Sequence, residues 1–148
     1  MKSQRFGIEI EMTGLTRRSA ALIIAKHFDT GFRHERGVYD TYSVCDQDGR
    51  KWKIVRDASI TPQCGNRFDY DPDYKVEVVS PICHYEDIET IQSIVRKLRR
   101  NGHAKVNESC GIHIHVDASK HTARSLRNIA NIMYSKEDLI FKALKVRP

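Results

Sequence analysis

An α+β fold with a mainly antiparallel sheet and helices on one face is what this 148-residue sequence predicts. Three segments share one design: 6–12 (FGIEIEM), 75–81 (KVEVVSP) and 110–117 (CGIHIHVD) alternate apolar with polar residues, the pattern of a strand with one buried face. Segments 41–45 (TYSVC) and 51–55 (KWKIV) flank the turn sequence DQDG at 46–49, which reads as a β-hairpin. Strands and helices alternate without the regular βαβ spacing of a parallel sheet, so a mixed, mainly antiparallel architecture follows. The length fits one domain, 1–148, with a substantial core.

Along the chain, the strand at 6–12 precedes a helix opened by Thr16 or Ser19. Its Ala20, Leu22, Ile23, Ile24 and Ala25 make it apolar almost all round, and hence buried. Residues 29–40 are polar and glycine-punctuated and read as a connection. Residues 61–74 carry Pro62, Gly65 and Pro72 with aromatic residues in no period, a long ordered loop of the kind that often serves function. A helix is predicted over 85–100. Ile88, Ile91, Ile94, Val95 and Leu98 form its inward stripe, acidic residues lie at its start, basic residues at its end, and Gly102 is its stop. After the strand at 111–116 the pattern predicts a helix from Thr122 to Met133 and another from Ser135, where Ser135 and Asp138 are spaced like a capping box. Trp52 and Phe68 are expected in packing roles rather than as stacking platforms.

Composition narrows the function classes. No apolar run reaches the roughly 18 residues that span a bilayer, and no leader pattern precedes the first strand, so a cytoplasmic protein without membrane contact is expected. Cys45, Cys64, Cys83 and Cys110 have no Cys-x-x-Cys spacing, which argues against a thiolate zinc site and against a disulfide framework. Lys and Arg number 25 against 19 Asp and Glu, a net charge of +6 that suits anionic ligands. The basic run Arg96, Lys97, Arg99 and Arg100 sits at a helix end, where the helix dipole accounts for it, so nucleic acid is not an expected partner.

The chemistry sits in the alternating segments. Residues two apart in a strand point to one face, so Glu9 with Glu11, and His113 with His115, project together. Glu-x-Glu alone is common on a solvated sheet face. Two like charges on one face repel unless a cation neutralises them, and the aliphatic backing of these segments marks them as core-forming strands. With Glu77 added, the surface would hold three Glu and two His, an oxygen-dominated site suited to Mg²⁺ or Mn²⁺ rather than to structural zinc. Asp57 and Ser59, just past a strand end, fit either the rim of such a site or a simple turn.

At these residues the sequence resembles the amidoligase family, a branch of the carboxylate-amine ligases related to glutamine synthetase and glutamate-cysteine ligase. The matching pieces are 6–11, the segment 52–60 (WKIVRDASI), 77–81 and 110–117, in the family's order and approximate spacing. The resemblance implies a glutamine synthetase-like catalytic sheet, ATP as phosphoryl donor, and Mg²⁺ between sheet and triphosphate. It implies Glu9, Glu11, Glu77 and His113 as metal ligands, His115 near the nucleotide phosphates or the substrate, Ser59 in nucleotide binding, and Asp57 with His115 as catalytic residues. The implied reaction joins an acidic carboxylate substrate to an amine through an acyl phosphate. Family members continue beyond the His-x-His strand, so the resemblance also implies the N-terminal portion of a longer, partial fold. That portion is expected to bind metal weakly, to show little or no ligase activity alone, and to complete its site with a C-terminal half or as a homo-oligomer. Two alternatives stand beside this reading: a metal-dependent hydrolase, in which Glu and His activate water, and a catalytically inactive binding subunit.

Overall fold

A computed structural model describes residues 3–65, 67–68 and 70–144, with backbone alone at Phe68, so the packing role expected of that side chain lies outside the described residues. Two compact units are present, 1–116 and 117–148.

The first unit is built on a six-stranded sheet of β1 (Phe6–Met12), β2 (Phe32–Arg36), β3 (Thr41–Cys45), β4 (Lys51–Val55), β7 (Val76–Val79) and β8 (Ile112–Val116), in the order β2-β3-β4-β7-β1-β8. Every neighbouring pair is antiparallel. The fold is thus α+β with an antiparallel sheet. A separate two-stranded hairpin, β5 (Gln63–Cys64) and β6 (Arg67–Phe68), lies within the segment expected to be a loop.

Alternation puts Ile8, Ile10 and Met12 of β1, Trp52 and Ile54 of β4, and Val76 and Val78 of β7 on one face, where α1 (Arg17–Phe28) and α2 (Ile88–Gly102) complete the core. Trp52 is buried there, its indole N–H donating to Asp46 at 3.3 Å. The β3–β4 turn is fixed by the same Asp46, whose carboxylate accepts from the backbone N–H of Asp48 (3.1 Å) and Arg50 (2.8 Å). At the far edge, Ile112, Ile114 and Val116 of β8 remain exposed.

Thr16 caps α1, its hydroxyl accepting from Ser19 N at 3.2 Å. Ala20, Ala21, Ile24, Ala25 and Phe28 are buried as expected, but Leu22 is exposed, so the helix is amphipathic rather than apolar all round. Its first residue, Arg17, is buried at 2% exposure and joins three segments. The guanidinium donates to Asp40, to Asp73 (2.8 Å), and to the carbonyls of Pro72 (2.5 Å) and Lys75 (3.0 Å).

Three further expectations are corrected. Residues 32–36 form an edge strand, β2, although only Phe32 among them is apolar; charged edge strands resist pairing with other chains, and the alternation signal is weak there. Gly102 is the last residue of α2, and the left-handed cap is His103 at φ 57°. The glycine serves packing instead, since a Cβ at this position would lie 2.7 Å from Ile23 Cδ1 and 2.9 Å from Leu15 Cδ1. In α2, Ile91, Ile94 and Leu98 are buried while Ile88 and Val95 are exposed, a narrower stripe than the sequence suggests.

The second unit holds one continuous helix, α3 (Ala123–Leu144), in place of the two expected. Thr122 and Ser125 cap it reciprocally, Ser125 N donating to Thr122 Oγ1 (3.2 Å) and Thr122 N to Ser125 Oγ (2.8 Å). Ser135 starts no second helix because its hydroxyl donates back to the Ile132 carbonyl at 3.1 Å, a bond available inside an unbroken helix. No helix among the described residues is long and apolar enough to cross a membrane.

Candidate metal centre

The three alternating segments are neighbours. β1 lies between β7 and β8, and the register sets Glu11 opposite Glu77, Glu9 opposite His113, and Gly7 opposite His115. All of these lie on the face away from the helices. Among the described residues, those with metal-binding atoms close enough to share an ion fall into two groups, Glu9 with Glu77 and His113, and Glu11 with Asp57 and Glu77. Within each group one ligand atom per residue lies within 4.8 Å of the others, and Glu77 belongs to both. His115 stands beside them, Nε2 at 3.2 Å from Glu9 Oε1, while His113 Nδ1 is 3.2 Å from the other oxygen of Glu9.

The carboxylates are held differently. Glu11, 5% exposed, accepts a 2.6 Å hydrogen bond from the backbone N–H of Gly111, the residue before β8. That bond fixes the start of the histidine strand to the acidic one. Asp57 accepts from both the backbone N–H and the hydroxyl of Ser59, each at 2.6 Å, and these bonds are the main reason its carboxyl is held below the usual aspartate value. The turn and the site reading of this pair therefore coexist: Ser59 braces the carboxylate, and the carboxylate stands with Glu11 and Glu77. Burial pushes the Glu77 carboxyl up to about 7, aided by the charges of Glu9, Asp57 and Glu11 and opposed by His113. Four carboxylates in so small a volume disfavour full ionisation on their own, and a divalent cation restores it. The donor set, rich in oxygen with one imidazole in reach, fits a hard cation.

The family model described as "Putative amidoligase enzyme" matches residues 2–148. The chain belongs to this amidoligase family. No curated protein and no solved structure matches the chain. The clustered residues are those on which the sequence resemblance rested: Glu9 and Glu11 in 6–11, Asp57 and Ser59 in 52–60, Glu77 in 77–81, and His113 and His115 in 110–117. Of the expected site residues, Ser59 and His115 belong to neither group: Ser59 acts on Asp57, and His115 pairs with Glu9.

Sequence reasoning missed one contributor to the candidate site. The Gly111 N–H is a backbone donor and carries no side-chain signal.

Proposed function

We propose that this chain is an ATP-dependent carboxylate-amine ligase that uses Mg²⁺ or Mn²⁺. The observation that carries the reading is the double grouping of Glu9, Glu11, Asp57, Glu77 and His113 around the shared Glu77 carboxylate. Glu9, Glu77 and His113 would hold one cation, and Glu11, Asp57 and Glu77 are suited to a second. When bound, such cations neutralise charge on a phosphoryl group in transfer.

The substrate carboxylate attacks the γ-phosphorus of ATP, giving an acyl phosphate and ADP. The amine then attacks the acyl carbon, phosphate leaves, and the amine nitrogen loses a proton. The chain's own residues serve these steps chiefly by position. Ser59 keeps Asp57 ionised and oriented. Glu9 tethers both imidazoles, and the more open His115 stands at the rim, where an imidazole is suited to accept the amine proton. A protein of this kind requires no membrane partner and is expected in the cytoplasm.

The test is calorimetric titration of a non-hydrolysable ATP analogue with Mn²⁺ into wild type and the Glu9→Ala/Glu11→Ala double variant, alongside ADP release with candidate carboxylate and amine pairs. Metal-dependent nucleotide binding that disappears in the double variant is the expected result, and any ADP release should require both substrates. Turnover that needs metal but no ATP would replace the ligase reading with a hydrolase.

A further inference from the structure

The sheet face that carries the carboxylates does not end at β7. Following one cross-strand row through the register gives Arg33 (β2), Ser43 (β3), Lys53 (β4), Val79 (β7), Glu9 (β1) and His113 (β8). Paired residues share a face, so the row carries two cations at one end and two site residues at the other. Lys53 is two strands from Glu9, about 10 Å between backbones at the usual strand spacing, with only Val79 between them.

The surrounding charges are mostly committed. Lys51, the neighbouring cation on this face, donates to Glu35 Oε1 at 2.9 Å, and Ser43 donates to the same oxygen at 2.9 Å. Those two hydrogen bonds lead the causes that hold the Glu35 carboxyl below its usual value, and Lys53 acts on it only through its charge. Lys53 and Arg33 make no hydrogen bond or ion pair with any described residue. A lysine that merely solvates a sheet face would behave in the same way in isolation. Its place beside an acidic cluster is what distinguishes this one: Lys53 is aligned with Glu9 yet pairs with none of the site carboxylates, so the face has a carboxylate-rich half and a cationic half.

We propose that Lys53, assisted by Arg33, binds an anionic oxygen group of a substrate whose other end lies at the carboxylate cluster. The ligand is a polyphosphate or a carboxylate, and the proposal rests on the ligase reading for which substrate that group belongs to. Lys53 is the better placed, and Arg33, two strands further from Glu9, extends the surface for a longer anion.

The experiment titrates inorganic tripolyphosphate and, separately, glutarate into wild type, Lys53→Met, Arg33→Met and the control Lys136→Met, first in EDTA and then with Mn²⁺. Lys53 is exposed, so its substitution leaves the fold intact, and unchanged thermal unfolding verifies this. The expected result is about tenfold weaker binding of one probe to Lys53→Met, as loss of a charge-assisted contact gives, a smaller loss in Arg33→Met and none in the control. Loss for tripolyphosphate assigns the cations to the nucleotide; loss for glutarate assigns them to the carboxylate substrate. Wild type that binds neither probe, or Lys53→Met that binds both as wild type does, overturns the proposal. Mn²⁺ binding by wild type is read in the same titrations, and its absence would refute the ligase reading whatever the anion result.

Discussion

Substituting Glu77 by Gln isolates the electrostatic cost of the acidic cluster in metal-free solution. The carboxyl rises from an ordinary 4.5 to about 7 through burial and its acidic neighbours. A group whose folded-state value is raised stabilises the fold fully below its unfolded value, and that contribution is lost as pH climbs through the folded one. At about 1.4 kcal/mol per unit, wild type in EDTA should lose about 2–3 kcal/mol between roughly pH 5 and pH 8 from this residue alone. Gln keeps the shape and cannot ionise. Urea unfolding in EDTA should therefore show Glu77→Gln close to wild type at pH 5 and about 2–3 kcal/mol more stable at pH 8. Saturating Mn²⁺ should close the gap, because a cation at about one hundred times its Kd adds about 2.7 kcal/mol to the protein that binds it. Identical urea midpoints for the two proteins at pH 8 without metal would show that the cluster carries no such cost, and the reasoning would fail.

Further outcomes follow from the same structure. Mn²⁺ affinity should rise about tenfold per pH unit below about 7 and level off above it, since Glu77 must shed its proton to bind; a flat profile between pH 5 and 7 in calorimetry would contradict this. Arg17→Met should destabilise the fold by about 2–4 kcal/mol in urea unfolding, because it takes the guanidinium from the Asp40 and Asp73 carboxylates and from the carbonyls of Asp40, Pro72 and Lys75, and a loss under about 1 kcal/mol would count against a structural role. Gly102→Ala should cost about 1 kcal/mol, the clash with Ile23 and Leu15 outweighing the roughly 1 kcal/mol gained in helix propensity; a raised melting temperature would show that those side chains yield freely. Asp87→Asn should lose stability at neutral pH and approach wild type below about pH 4, because the Arg50 hydrogen bonds that hold the Asp87 carboxyl low act only on the ionised form.

The strands that build the site were readable because their alternation is strict and their backing aliphatic. Glu9, Glu11, Glu77, His113 and His115 each fell on the expected face because parity along a strand decides that. Alternation says nothing of order. That β1 would be flanked by β7 and β8, bringing Glu11 against Glu77 and Glu9 against His113, depends on long-range pairing. β2 escaped because edge strands can be charged throughout, and Gly102 was misread because a glycine near a helix end signals a cap as readily as a close helix contact. Arg17 gave no sign of burial, since its partners come from segments more than twenty residues away. The junction at Ser135 looked like a start signal because a hydroxyl that caps one helix can equally bond backward inside another.

The position of β8 grades the rigidity of the centre across its width. β1 and β7, with the glutamates, are hydrogen-bonded along both sides, while β8, with the histidines, is paired along one. Amide exchange should therefore be fastest at 112–116 and slowest at 8–11, because peeling the edge strand breaks a single ladder. A coordination shell built this way has a stiff acidic floor and a compliant nitrogen wall: the carboxylates that receive a cation are held in place, while the imidazole that completes its sphere can withdraw and return without unfolding the sheet.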